Sequence, residues 1–467
     1  MKSLVVLSDT KSHAGVCDLV ARTTWYLAPY REKISKIHIL SEQTDEFDVF
    51  QLPEIYDPAL TALVAEMLPQ FTFESLSTLG NAQKKIIVDE AEAVFLASAS
   101  KRKTSDPLLA KMVAAAKEKG VLFEVDPKKT RMEGSFSLWA GLKLFDDATA
   151  RAEENRHRFE EFKSSLSPKR RAYVFGTGPS LSGFAASHDF SDGHCIVSNS
   201  MVKNADLLAQ LKPVAIVAAD PIFHAGCSRY AGAFRTELIQ ALRTHACYFI
   251  TSLRDYNVFH AFLPEDLRSR LIGVPFDGKA PFNPDLSKNF SVQPLANILT
   301  LLLFPVAGTI TGEICVVGCD GRPLDQNTYF WGHDKSTQFN DEMENIKLVH
   351  PAFFAVDYDD YYSEHCKNVA LAVDALENLD KTVQSLTPSY IPALAARGPE
   401  SPVPRTVDAL IDTTDYGDTP HIVLLDPDGK NASGHFLAYD RRIWESASTL
   451  PQKVTVLGRL DFEAEAA

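Results

Sequence analysis

The stretch "RRAYVFGTGPSLSGF" (residues 170–184) decides how the fold is read. A β-branched and aromatic run ends in a Gly-x-Gly-Pro-Ser turn. A glycine turn between a strand and a helix leaves backbone N–H groups pointing outward, and it lets a phosphate or ribose approach where a Cβ would stand in the way. Gly176, Gly178, Pro179 and Ser180 fit that description. The turn lacks the third glycine of a dinucleotide fingerprint and the Gly-Lys-Ser/Thr of a P-loop, so a structural turn and a nucleotide cradle both stay open.

Downstream of this turn the pattern continues with "HCIVSNS", "VAIVAAD", "CYFITS", "RLIGVPF" and "EICVVGCDG", with helical segments between most of them. Such alternation predicts a parallel sheet in an α/β domain, placed over residues 171–390. Residues 1–135 show the same alternation, with "SLVVLSD", "SKIHILS", "KKIIVD", "AVFLAS" and "VLFEVDP" as strands and "DPLLAKMVAAAKEKG" as the clearest helix. The fold class is therefore α/β, two Rossmann-like domains with mostly parallel sheets, joined by a charged helical connector over 136–170.

The stretch "TPSYIPALAARGPESPVPRT" (387–406) is rich in Pro, Ser and Gly and reads as a linker, which is placed over 391–419. Beyond it, 420–467 read as strand, polar loop, helix and strand, a partial third β-α-β unit. Its layout matches that of the N-terminus, which makes it a weak internal repeat or a chance likeness among α/β units. It also resembles the opening unit of glycosyltransferases built from two facing Rossmann-like domains. The expectation is that it begins a further catalytic domain of a longer protein.

Composition narrows the function. With 467 residues the chain exceeds one ordinary domain, and 45% hydrophobic with 23% charged residues is near the globular average. A formal net charge of -14 argues against a nucleic-acid partner held through its phosphates. The seven cysteines are scattered without a C-x-x-C pair, which fits reduced buried thiols of a cytoplasmic protein. The N-terminus reads as a first strand and not a signal peptide. The longest apolar stretch, "LANILTLLLFPVAG", is broken by Pro305 and falls short of the roughly 20 residues of a membrane span, which leaves peripheral membrane contact open.

Ligands of an open α/β sheet gather at the carboxyl ends of its strands. Ser198 and Asn199 end one strand and Asp220 ends another, so with Gly176 they are placed on one crevice, against the alternative of ordinary polar strand ends. His350, in "LVHPAFF", is a candidate base because a histidine titrates near working pH. Asp357 and Asp359, in "VDYDDYY", have the spacing of an Asp-x-Asp that binds Mg²⁺ or Mn²⁺, and equally that of an acidic loop. Aromatic residues in "TYFWGHD" and "HPAFFAVDYDDYY" fit either base or sugar stacking or core packing. "DPDGKN" (Asp426, Asp428, Asn431) is better explained as a loop than as a calcium site.

"GTGPSLS", "SNS", "ADP", "GEICVVGCDG" and "HCKNVALAVDALE" together resemble the bacterial sialyltransferases that use CMP-sialic acid, and the related motility-associated-factor flagellin glycosyltransferases, over about residues 171–385. The resemblance implies that Gly176, Thr177, Gly178, Pro179 and Ser180 hold a cytidine nucleotide, that Asn199 holds its sugar or phosphate, and that Gly318 and Asp320 shape the donor pocket. His365, placed at a helix start, matches the family's general base. Thr177 stands where those enzymes usually have Asn. Their pair of tyrosines on the leaving phosphate is not reproduced, and Arg322 and Tyr329 are the nearest candidates. An arginine there would neutralise the phosphate in place of a metal, so no cofactor beyond the CMP-sugar donor is expected.

The expected activity is inverting, metal-independent transfer of a 2-keto acid sugar from a CMP donor to a glycan or lipid-linked glycan precursor of a cell-surface polysaccharide such as O-antigen or capsule. Two alternatives stand beside it. An archaeal pterin pyrophosphokinase group shares the Gly-Pro-Ser turn and would need Mg²⁺ and ATP. The other is a non-catalytic nucleotide-sugar-binding module that serves the C-terminal unit.

Overall fold

The computed structural model describes residues 1–43, 47, 49–98, 106–323, 335–355 and 358–399, together with two strands at 421–425 and 453–457. The first β-branched runs form a five-stranded sheet from β1 (Lys2–Ser8), β2 (Ile34–Ser41), β3 (Phe71–Ser75), β4 (Ala91–Ala97) and β5 (Leu122–Glu124), ordered β3-β2-β1-β4-β5. Every pairing in it is parallel.

The second sheet has seven strands: β6 (Arg171–Phe175), β7 (Gly193–Ser198), β8 (Ala215–Val217), β9 (Tyr248–Ser252), β10 (Leu271–Val274), β11 (Glu313–Val317) and β12 (Thr382–Ser385), ordered β10-β9-β8-β7-β6-β11-β12. These pairings are parallel too. The sheet is covered on both faces, which explains strands such as Ala172–Phe175 that are apolar at every position and almost fully buried. The fold is thus α/β, with two mostly parallel, Rossmann-like sheets.

Both sheets lie in one compact unit, Met1–Val403. One of the buried hydrophobic clusters runs from Leu4, Val6 and Trp25 of the first half to Tyr173, Phe175 and Val197 of the second. Trp25, on the helix His13–Leu27, donates its indole N–H to the Ala225 carbonyl at 2.9 Å. The Arg235 guanidinium lies 4.2 Å over the same indole and pairs with Asp57 at 2.7 Å. The stretch read as a linker begins inside this unit: Ile391 and Leu394 are buried, and Arg397 pairs with Glu377 at 2.6 Å. In the second unit, β13 (His421–Leu425) and β14 (Lys453–Leu457) pair in parallel.

Three local readings are corrected. "KKIIVD" is not a strand but part of the helix Asn81–Glu90, and the strand it displaces is "FTFES". Only Lys84 and Ile87 of that helix are buried, while Ile86 is 56% exposed, so its apolar triplet serves one narrow face. β12, "TVQS", was not anticipated, because only Val383 and Ser385 face inward on this edge strand. His365 is not at a helix start. The helix begins at Tyr358 and places it about two turns in.

"LANILTLLLFPVAG" becomes the wide turn Leu299–Leu303 running into the helix Phe304–Ile310, with Pro305 tolerated near that helix's start. No described helix is long and apolar enough to cross a membrane.

Candidate functional site

The glycine turn after β6 is drawn against the end of β11. The Gly176 N–H donates to the Val317 carbonyl and the Gly178 N–H to the Gly318 carbonyl, both at 2.8 Å. A Cβ on Gly176 would stand 2.5 Å from the Gly318 oxygen, and one on Gly178 would stand 1.8 Å from Asp320 Oδ2. The Ser180 hydroxyl donates to Asp320 Oδ2 at 2.9 Å, and its N–H bonds the same carboxyl, whose pKa burial raises. Gly318 sits at φ +67 and gives its N–H to Thr387 Oγ1 at 2.9 Å, and the Asp320 carbonyl accepts from the Tyr390 N–H at 2.6 Å. Gly176, Gly178, Pro179, Ser180, Gly318 and Asp320 therefore build a laced wall, in which the amides of all three glycines are already bonded.

Beside this wall, at the carboxyl ends of β6, β7 and β8, is a cavity of about 330 Å³. Thr177, Asn199 and Asp220 line it together. Asn199 has a left-handed backbone, φ 51, a conformation that asparagine tolerates better than most other non-glycine residues. Its neighbour Ser198 is turned away and donates to the Phe175 carbonyl at 2.8 Å.

Asp220 Oδ1 accepts the N–H groups of Ile222 at 2.7 Å and Phe223 at 2.8 Å. Burial still raises the Asp220 pKa, outweighing those amides. His224, also on the cavity, accepts the Asp220 N–H at Nδ1 (3.3 Å), and burial pulls its pKa down to about 3, which keeps it neutral.

Arg254 reaches the cavity from the end of β9. Its charge is held by Asp255, through Nε to Oδ1 at 2.6 Å and Nη2 to Oδ2 at 2.9 Å, and it also donates to Ser135 Oγ at 2.9 Å. At the rim, exposed Arg131 lies 5.9 Å over the Phe353 ring and has no ion-pair partner among the described residues. Tyr361 closes another side, donating to the Ala296 carbonyl at 3.3 Å; burial pushes its pKa up to about 12.

The remaining candidates lie off the cavity lining. His365 follows Tyr361 by one turn, is buried, and burial pulls its pKa to about 4; its Nδ1 has no partner among the described residues. His350 is fully buried and bonds Glu133 Oε1 through Nδ1. Glu133 also lies 3.7 Å from Arg22, which holds Asp18 at 3.0 Å and donates to the Val349 carbonyl at 2.6 Å. Arg322 is buried with its guanidinium 4.7 Å over the Tyr362 ring, and its N–H donates to the Tyr362 hydroxyl at 3.1 Å.

Tyr329 and Asp357 lie outside the described residues, as do the side chain of Asp359 and the DPDGKN loop. Among the described residues no three His, Cys, Asp or Glu side chains gather as a metal cluster. The five fully buried cysteines and the half-buried Cys319 and Cys366 are all free thiols.

Sequence reasoning missed Arg254, Arg131 and Glu133. The strand-end logic that selected Asn199 and Asp220 extends to Arg254 in "TSLRD", and a lone carboxylate in the apolar run "MEGSFSLWAG" was the signal for Glu133. Arg131 comes from the other half of the chain and carried no local signal. No family model, no curated protein and no solved structure matches the chain.

Proposed function

We propose that the protein is a glycosyltransferase that takes a 2-keto acid sugar from a CMP-activated donor held in this cavity and passes it to a hydroxyl of a cell-surface glycan precursor. The observation that carries the reading is the convergence of Thr177, Asn199 and Asp220, the tips of three neighbouring parallel strands, on one concave space of about 330 Å³. That is where an open α/β sheet takes its ligand, and the volume suits a small polar molecule. The Asn199 amide makes no hydrogen bond to another described residue and is available to a ribose or phosphate. Arg131, which pairs with no carboxylate among the described residues, offers a positive charge at the rim for the donor phosphate.

Calorimetric titration tests this. CMP is expected to bind, with UMP, GMP and ADP weaker, and Asn199→Gly, which keeps the left-handed backbone and removes the side-chain amide, is expected to lose most of the affinity while the protein stays folded. Absence of heat with CMP, or binding of ATP only in the presence of Mg²⁺, would overturn the assignment in favour of the pyrophosphokinase chemistry or a non-nucleotide ligand.

A further inference from the structure

Transfer to an acceptor hydroxyl needs a group that takes its proton. Among the described residues lining the cavity, the acid–base candidates are Asp220, His224, Tyr230 and Tyr361. The two phenols are held protonated by burial, with Tyr361 pushed up to about 12 and Tyr230 higher still. A neutral imidazole has one nitrogen with a free lone pair, and in His224 that nitrogen, Nδ1, already accepts the Asp220 N–H at 3.3 Å. The guanidiniums of Arg131 and Arg254 are donors only and offer no lone pair to a proton.

Asp220 is different. One carboxylate oxygen is fixed by the amides of Ile222 and Phe223 at 2.7 and 2.8 Å, while the other takes no hydrogen bond from a described residue. Both carboxylate rotamer and position are thus set by the turn after β8, in the cavity that Thr177 and Asn199 also line.

Resting on the transferase reading, we propose that Asp220 is the general base. Its carboxylate takes the proton of the acceptor hydroxyl as that oxygen bonds to the donor's anomeric carbon. The bond from this carbon to the CMP phosphate oxygen breaks, and CMP leaves with that electron pair. The groups around Asp220 tune it from several sides: Arg254 after β9, the His350–Glu133 pair, and Tyr361 and Tyr230 on the cavity wall, with His224 on its own turn. Burial strengthens its hold on a proton, in the direction a base requires.

Asp220→Asn is the test, because Asn keeps the oxygen that the two amides need and removes only the proton acceptor. The assay follows CMP binding by calorimetry and CMP release from CMP-N-acetylneuraminate and CMP-Kdo, with water as acceptor. The expected result is unchanged melting, CMP affinity within about threefold of wild type, and release slowed by about 10² to 10⁴-fold.

Release by the variant within about tenfold of wild type, or loss of CMP binding with melting intact, overturns the role and leaves the transferase reading standing. A wild type that binds no CMP and releases none from either donor overturns that reading and this role together. The wild-type pH–rate profile needs no variant: an acid limb above the usual carboxylate range supports Asp220, and a rate that holds down to the ordinary aspartate pKa overturns it.

Discussion

The Glu133–His350 contact joins the first half of the chain to the second, and its removal should be costly in a way that reveals the coupling. Glu133 and His350 are 1% and 0% exposed, so neither can turn to water when its partner is lost. Glu133→Ala leaves the His350 Nδ1–H and an Arg22 amino group in apolar surroundings. Breaking a buried pair from one side costs about 3–5 kcal/mol. His350→Ala leaves the carboxylate with Arg22 at 3.7 Å as its remaining partner and should cost a similar amount.

The double variant removes both members of the contact at once, so its loss should fall short of the sum by about 1–3 kcal/mol. Urea unfolding read by tryptophan fluorescence suits the measurement, because Trp25 is fully buried and its indole spans the two halves through the Ala225 carbonyl. Additivity of the two single losses to within about 0.5 kcal/mol would refute a coupled pair and leave two independent packing effects.

Three further outcomes follow from the site. Arg131→Ala should weaken CMP binding about tenfold, close to 1.4 kcal/mol, and flatten its salt dependence, as calorimetry at two salt concentrations will show. Gly178→Ala drives a methyl to within 1.8 Å of Asp320 Oδ2 and 2.7 Å of the Gly318 carbonyl, so a loss of about 1–3 kcal/mol in denaturant melts should come with lost CMP affinity. His365 is held neutral by burial, with a folded pKa of about 4 against an ordinary 6.5; its stabilising contribution is full above pH 6.5 and is lost as pH falls toward 4. Protonation then favours the unfolded chain by up to about 3 kcal/mol, and His365→Gln should show a shallower fall of stability across that interval.

How far the sequence reaches depends on the range of the physical signal. Apolar strands and the glycine turn are local, so the α/β class and six of the seven strands of the second sheet follow from runs of a few residues. "KKIIVD" misleads because three consecutive apolar residues fit a strand and a helix equally; the helix they form packs against both the helix Pro107–Glu118 and β1, partners that lie outside the run itself. The cavity is harder to foresee. Arg131 enters it from a different half of the molecule, and the Glu133–His350 contact spans 217 positions. No periodicity encodes pairings of that length.

The same distinction explains where the ligand space lies. Strand order reverses between β6 and β11, and an open crevice is expected at such a switch point. Here a glycine follows each strand, and without Cβ atoms the two turns close until Gly176 and Gly178 donate to the Val317 and Gly318 carbonyls and Ser180 holds Asp320. Those residues are needed as glycines because backbone meets backbone, and a bound phosphate is not required to account for them. The opening is consequently shifted to β7 and β8, where Asn199 and Asp220 end their strands and Thr177 alone represents the turn. A Gly-x-Gly-Pro-Ser motif thus fixes one wall of the cavity, and the polar lining comes from the side chains at the neighbouring strand tips.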